Sequence, residues 1–289
     1  MKSGQQSNLA IDPLSISPNL GAEIRGVSLE EALSAEDVNR IQCAFAEHEF
    51  LVFRNQAISS RQHLEFARQL GEPMIHPFPP PEPPEFPELV VIQTQDGLKQ
   101  SQHADIWHSD ETFRAEPPSA SIVRSVVAPE RGGDTLIASM TAAYEGLSDH
   151  WQRFLSGLEA VHDIKPYRNF LSHDAKSRQV LREMEERWPN PTHPVVTQHP
   201  VSGRKVLFAN RQFTIRIKGM TEQESQSVLN FLFEQPSIPE NQQRIHWERD
   251  TLVMWDNRAV QHYAVYDYYP QPRRMEKITL RGERPVAPA

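Results

Sequence analysis

The sequence predicts an α+β fold: a jelly-roll core, the double-stranded β-helix, with helices flanking it and inserted into it. Three observations carry that expectation. Short β-type runs recur through most of the chain, Gly and Pro punctuate them, and helical patterns interrupt them without the regular βαβ alternation of a parallel sheet. The runs are "FLVFRN" from Phe50, "ELVVIQT" from Glu88, "SASIVRSVV" from Ser119, "DTLIASM" from Asp134, "HPVVTQH" from His193 and "KVLFAN" from Lys205. The final third adds "TLVMWD", "AVQHYAVY" and "MEKITLRG".

The helices follow from caps and periodicity. In "SAEDVNRIQCAFAEHEF" Ser34 caps, Asp37 falls in the first turn, and Val38, Ile41 and Phe45 share a face. "SSRQHLEFARQLG" opens at Ser59 or Ser60 and closes at Gly71. "SDHWQRFLSGL" has Ser148 as cap with Trp151, Leu155 and Leu158 on one face, and "DAKSRQVLREMEER" reads as a charged, exposed helix. "TEQESQSVLNFLFEQ" carries a capping box, Thr221 with Glu224, ahead of Val228, Leu229 and Leu232. Seven of the eleven residues from Pro77 to Pro87 are proline, which forces an extended, polyproline-like loop. Partial sheet patterns on both sides of it need each other. The expectation is therefore one domain over residues 1–289, with flexible tails at 1–10 and 283–289 and the Pro-rich loop at 77–87.

Composition excludes some function classes. With 38% hydrophobic and 24% charged residues the chain is globular, and with a net charge of −8 and no Lys/Arg cluster it lacks the footprint of a nucleic-acid binder. No run approaches the ~20 apolar residues of a membrane span, and the N-terminus has no signal-peptide pattern, so the cytoplasm is the expected compartment. The single cysteine, Cys43, sits in a helical apolar pattern where it is expected to pack into the core.

Chemistry concentrates in "QHADIWHSDETF", which holds His-x-Asp twice: His103 with Asp105 and His108 with Asp110. Frequency alone says little, because random placement of 12 histidines and 38 acids gives about 1.6 His-x-acid pairs and the chain has four. Of the others, His63 and Glu65 lie on a helical pattern, where positions two apart diverge. On a strand such positions share a face, but pairs offset by five would face opposite ways, so at most one can point into a barrel. His108 and Asp110 follow Ile106 and Trp107, bulky residues suited to starting a strand. Two histidines and one carboxylate on one face make the facial triad of non-haem Fe(II) oxygenases, and His262 in "MWDNRAVQHYAVYDY" is the best third ligand.

"WHSDETF", "ERGGDTLIASMTAAYEGLS" and "MWDNRAVQHYAVYDYYPQPRRMEKITLRG", in that order, resemble the taurine dioxygenase (TauD/TfdA) family of Fe(II)- and 2-oxoglutarate-dependent dioxygenases, and "LGAEIRGVSL" resembles its opening strands. The resemblance runs from about Leu14 to Gly282. It implies iron ligation by His108, Asp110 and His262, leaving His103 and Asp105 outside the motif. It also implies Fe(II), 2-oxoglutarate and O2 as cofactor and cosubstrates, with Thr135 and Arg273 binding 2-oxoglutarate. A planar guanidinium forks onto a carboxylate and a hydroxyl adds a hydrogen bond, so the chemistry agrees. Strand alternation puts Arg273 and Lys277 on one face and Arg274 on the other.

Substrate positions depart from the family's sulfonate-oxidising members. Lys277 stands where they have a second arginine, Pro79 where they have tyrosine, and Ala104 where they have asparagine. His76 is retained, and Phe213 matches an aromatic of the substrate pocket. The resemblance thus implies hydroxylation of a small anionic substrate held by His76, Lys277 and Phe213, with succinate and CO2 as coproducts and a homo-oligomer, dimer or tetramer, as the assembly. Two rival readings of the same residues are a zinc hydrolase using a metal-bound water and a non-catalytic, cupin-like metal-binding protein.

Overall fold

Strand pairing explains where the apolar residues of the short runs go. The computed structural model describes residues 8–15, 18–76, 85–94, 104–171 and 174–289. In chain order the strands are β1 (Ala10–Pro13), β2 (Ala22–Arg25), β3 (Phe50–Phe53), β4 (Leu89–Thr94), β5 (Ala120–Val127), β6 (Thr135–Ser139), β7 (Glu159–His162), β8 (Thr192–Pro194), β9 (Val196–Gln198), β10 (Lys205–Leu207), β11 (Thr214–Ile217), β12 (Gln242–Ile245), β13 (Leu252–Asp256), β14 (Val260–Ala264) and β15 (Arg273–Leu280). Seven form one sheet in the order β1-β2-β3-β13-β5-β15-β4, and three form a second in the order β12-β6-β14. All these pairs are antiparallel except β2 with β3.

Alternation then sorts the side chains. On β3, Phe50 and Val52 join Val123, Val253, Trp255 and Met275 of the large sheet and Ile137, Ile245 and Val260 of the small one, filling the jelly roll. Leu51 and Phe53 point the other way, with Ile122, Met254 and Ile278, onto two helices. This period of two is why the runs are nearly continuous in apolar residues: both faces of the large sheet are covered.

The covering helices are α1 (Ala35–His48) and α2 (Ser60–Leu70), capped by Ser34 and Ser59 as the sequence predicts, the second with a Ser59–Gln62 capping box and Gly71 at its end. Cys43 departs from expectation. It is exposed, because Ile41, Ala44, Phe45 and His48 make the buried face of α1 and position 43 falls off that stripe. Two short helices went unforeseen: α3 (Met140–Glu145) and α5 (Lys165–Phe170), at six residues each too short to show a period. Between them α4 (Asp149–Leu155) starts at Ser148. Of α6 (Ala175–Arg187) only Met184 is buried, and α7 (Glu222–Glu234) begins at the Thr221–Glu224 box. Helices α3 and α7 pack with β9 and β10 around Leu207, Leu229 and Leu232.

Residues 77–84 of the Pro-rich loop, and His103, lie outside the described residues. Within the expected C-terminal tail, Val286 O accepts a hydrogen bond from Gln198 N at 2.9 Å. No helix among the described residues is long and apolar enough to cross a membrane.

Candidate metal and cosubstrate site

The site begins with a strand that stops. His108 forms an isolated antiparallel bridge with His262 of β14, each backbone N–H donating to the other's carbonyl, at 3.1 and 2.8 Å. The chain then turns at once, and Glu111 takes a left-handed backbone (φ 49°), a conformation that costs a non-glycine residue about 1–2 kcal/mol. The strand expected under His108 and Asp110 is therefore reduced to the single His108–His262 bridge, with Asp110 at the start of the turn that follows. Asp105 is exposed.

Three residues converge: His108, Asp110 and His262 each offer a ligand atom within 4.8 Å of the others, all buried. Asp110 Oδ1 lies 3.9 Å from Nε2 of both His108 and His262. That is too far for a hydrogen bond and leaves room for an ion. His108 Nδ1 lies 2.7 Å from Ile106 O, so this nitrogen carries the proton and Nε2 presents its lone pair. His262 stacks obliquely on Trp255, with ring centroids 4.6 Å apart. Burial pushes both imidazoles down from their ordinary values, His262 further because His108 adjoins it. Burial would push the Asp110 carboxyl up, but Lys277, His262 and His108 together hold it well below the usual carboxylate range. Two neutral imidazoles and an ionised carboxylate are the states a divalent metal needs, so the donor set fits iron.

Backbone and side chains around Asp110 are fixed. Asn257 accepts from its N–H at 2.5 Å and donates to its carbonyl at 2.9 Å, and also donates to Pro118 O. Its Oδ2 accepts from Ser121 Oγ at 2.6 Å and pairs with Lys277 Nζ at 2.6 Å. Neither Ser121 nor Asn257 was assigned a role from sequence. Asn257 stands in "WDN", but nothing in the run shows what it clamps.

Arg273 and Lys277 both begin from β15 as alternation predicts, while Arg274 pairs outward with Gln93. Arg273 is buried beneath the Tyr268 ring, its Nε without a partner, and burial lowers it from its ordinary value. A buried guanidinium with an unmet donor calls for an acidic ligand. Its floor is the Gly132-Gly133 turn: a Cβ on Gly133 would lie 3.4 Å from Arg273 Cδ and 3.1 Å from the Tyr268 ring, and φ there is +71°. The turn leads into Thr135, buried, which pairs in register with Ala264 and accepts from Trp247 Nε1 at 2.9 Å.

Of the expected substrate residues, Lys277 touches the centre directly, at Asp110, and His76 reaches the sequence neighbour of Asp110, Glu111. His76 Nε2 meets Glu111 Oε1 at 2.7 Å, and Glu111 also pairs with Arg114, which lies over Trp188. Phe213 is enclosed with Phe113, Ile164, Leu171 and Met184, its ring 5.4 Å from Phe113. Sequence reasoning missed Tyr167, whose ring meets Phe113 edge-on at 5.7 Å. Burial, then the carboxylates of Glu111 and Asp110, push its phenol up, so it remains a protonated donor beside the metal residues.

Known proteins resemble this chain over nearly its whole length. The family model for taurine catabolism dioxygenases, the TauD, TfdA family, matches residues 12–279. An alpha-ketoglutarate-dependent sulfate ester dioxygenase of Pseudomonas putida is 40% identical over 96% of this chain and 92% of its own. An alkylsulfatase of Acinetobacter baylyi is 36% identical over 91% of this chain and 83% of its own. The crystal structure of a taurine dioxygenase from Burkholderia xenovorans superposes with a TM-score of 0.81 at 32% identity, covering 97% of this chain and 93% of that one.

Proposed function

This chain belongs to the TauD/TfdA family of 2-oxoglutarate-dependent dioxygenases, and on that premise we propose that it hydroxylates a small anionic substrate, a sulfate ester before a sulfonate. The observation that carries the reading is the convergence of His108, Asp110 and His262 on one point. Iron bound there supplies, with 2-oxoglutarate and O2, oxidative decarboxylation to succinate and CO2 and oxygen insertion into a C–H bond.

The chain's own residues then have separable tasks. His108 Nε2, His262 Nε2 and Asp110 Oδ1 would hold the metal. The Arg273 guanidinium takes the far carboxylate of 2-oxoglutarate, and the Thr135 hydroxyl adds a hydrogen bond. Lys277 and His76 receive the substrate's anionic group, and both stand beside carboxylates, Asp110 and Glu111, that keep them in place. Phe213 acts through Phe113, shaping the pocket wall and excluding water. Where the hydroxylated carbon carries sulfate, its new hydroxyl loses the proton and forms a C=O bond as the C–O bond to sulfate breaks, leaving an aldehyde and free inorganic sulfate. The names of two relatives, a sulfate ester dioxygenase and an alkylsulfatase, support that order of substrates. We place the protein in the cytoplasm, where an exposed Cys43 stays reduced, as a single-domain homo-oligomer, dimer or tetramer.

The test is anaerobic reconstitution with Fe(II) and 2-oxoglutarate. A weak visible charge-transfer band is expected, followed on admitting O2 by succinate release that alkyl sulfates stimulate. Absence of the band, or succinate release undiminished in His262→Ala, defeats the reading. Turnover without O2 would instead favour the hydrolase.

A further inference from the structure

Asp110 serves two cations from its two oxygens. Oδ1 faces Nε2 of His108 and His262, 3.9 Å from each, on the side where the metal fits. Oδ2 is held at 2.6 Å by Lys277 Nζ and at 2.6 Å by Ser121 Oγ. The metal's donor set is two neutral imidazoles and one carboxylate, so Asp110 carries its whole negative charge, and Lys277 cancels it. A dication bound among the three residues therefore meets a site of no net charge, with an ammonium on the far oxygen of its own ligand.

Lys277 has little access to solvent. Its side chain is only 13% exposed, it lies on the inner face of β15 with Met275, and the Trp255 ring is 5.9 Å from its ammonium. Among the described residues its ion pair is with Asp110. A lysine suits such a shared position better than an arginine, because its ammonium is a compact point charge with three rotatable donors rather than a fixed fork.

We propose that Lys277 is an exchangeable counter-ion: it competes with the metal for Asp110 until the substrate's anionic group takes the ammonium, so metal and substrate anion each tighten the other's binding. The inference rests on the metal site and anionic substrate of the preceding reading and adds the coupling between them. Reciprocity is a thermodynamic necessity once the coupling exists. Its sign separates it from a merely structural role. A lysine that only braced Asp110 would weaken metal binding when removed, whereas a competing counter-ion strengthens it.

Titration calorimetry of Mn(II) into the full chain, with and without n-hexyl sulfate, tests this. For the unaltered protein, saturating hexyl sulfate is expected to tighten Mn(II) binding about tenfold while hexanol leaves it unchanged. Lys277→Met is expected to bind Mn(II) about tenfold more tightly without any anion and to lose the hexyl sulfate effect. Lys277→Gln, a polar variant in case methionine disturbs folding, is expected to behave alike, and Lys277→Arg to retain the anion dependence. Weaker or unchanged Mn(II) binding in both neutral variants, or no hexyl sulfate effect on the unaltered protein, overturns the counter-ion role. Mn(II) uptake undiminished in His262→Ala overturns the underlying metal site instead.

Discussion

Asp110 and Asp256 are both buried carboxylates set among imidazole and a basic side chain. At Asp256 every oxygen is spoken for: Arg258 donates from its backbone and guanidinium to Oδ1 at 2.9 and 2.8 Å and to Oδ2 at 2.6 Å, and His199 Nε2 sits 3.0 Å from Oδ2. At Asp110 only Oδ2 is saturated, and Oδ1 looks across 3.9 Å at two imidazole nitrogens. Burial pushes both carboxyls up and their cations overcome it, Asp256 coming to about 2. The difference is that one cluster is closed by hydrogen bonds within the protein and the other is completed only by something brought from outside. They are joined through Asn257, next to Asp256 in sequence, whose side chain clamps the backbone of Asp110.

That contrast can be broken at either end. His262→Ala removes an open-site nitrogen, so Mn(II) uptake and succinate formation are expected to vanish while the thermal midpoint barely moves; calorimetry and a melting curve read both. Asp256→Asn removes the charge that faces half-buried Arg258 and buried His199, and urea denaturation should show a loss of about 3 kcal/mol in stability. Metal affinity, measured where the variant remains folded, should fall less than in any ligand mutant.

A gentler probe is pH. Asp256 is lowered from 3.8 to about 2 in the folded protein, so it contributes stability that is present above pH 3.8 and lost as pH falls toward 2. The slope is worth about 2 kcal/mol, and Asp256→Asn should flatten that limb of the stability curve. Smallest is Ser121→Ala. It deletes one hydrogen bond to Asp110 Oδ2 and should weaken Mn(II) binding only a few-fold, about 1 kcal/mol, where equal loss in stability and affinity would make the open site as structural as the closed one.

Much of the fold was legible because its signals are local. Caps at Ser34, Ser59 and Thr221, the strand runs and the His-x-Asp pair all speak through neighbours in the chain. Reasoning failed where the deciding partner was distant. The apolar pattern around Cys43 predicts a core position, but the buried stripe is Ile41, Ala44, Phe45 and His48 and Cys43 is exposed. Strand parity predicts a shared face for His108 and Asp110, and the two do meet, but from a single bridge and the turn after it rather than from a strand. Tyr167 lies on a six-residue helix that periodicity cannot see, and its proximity to Glu111 and Asp110 depends on how that helix docks.

Local pattern in the sequence accounts for the jelly-roll class, the starts of the longer helices and the residue types from which an iron site can be built, since propensity, capping and periodicity act over a few residues. Only the tertiary structure decided which oxygens are free. Asp110 and Asp256 are the same residue type, and what separates an open ligand from a closed ion pair is whether Arg258, two residues away, or Lys277, far along the chain on β15, comes to meet it. Burial and cross-strand distance set that outcome, and neither is written in any one stretch of chain.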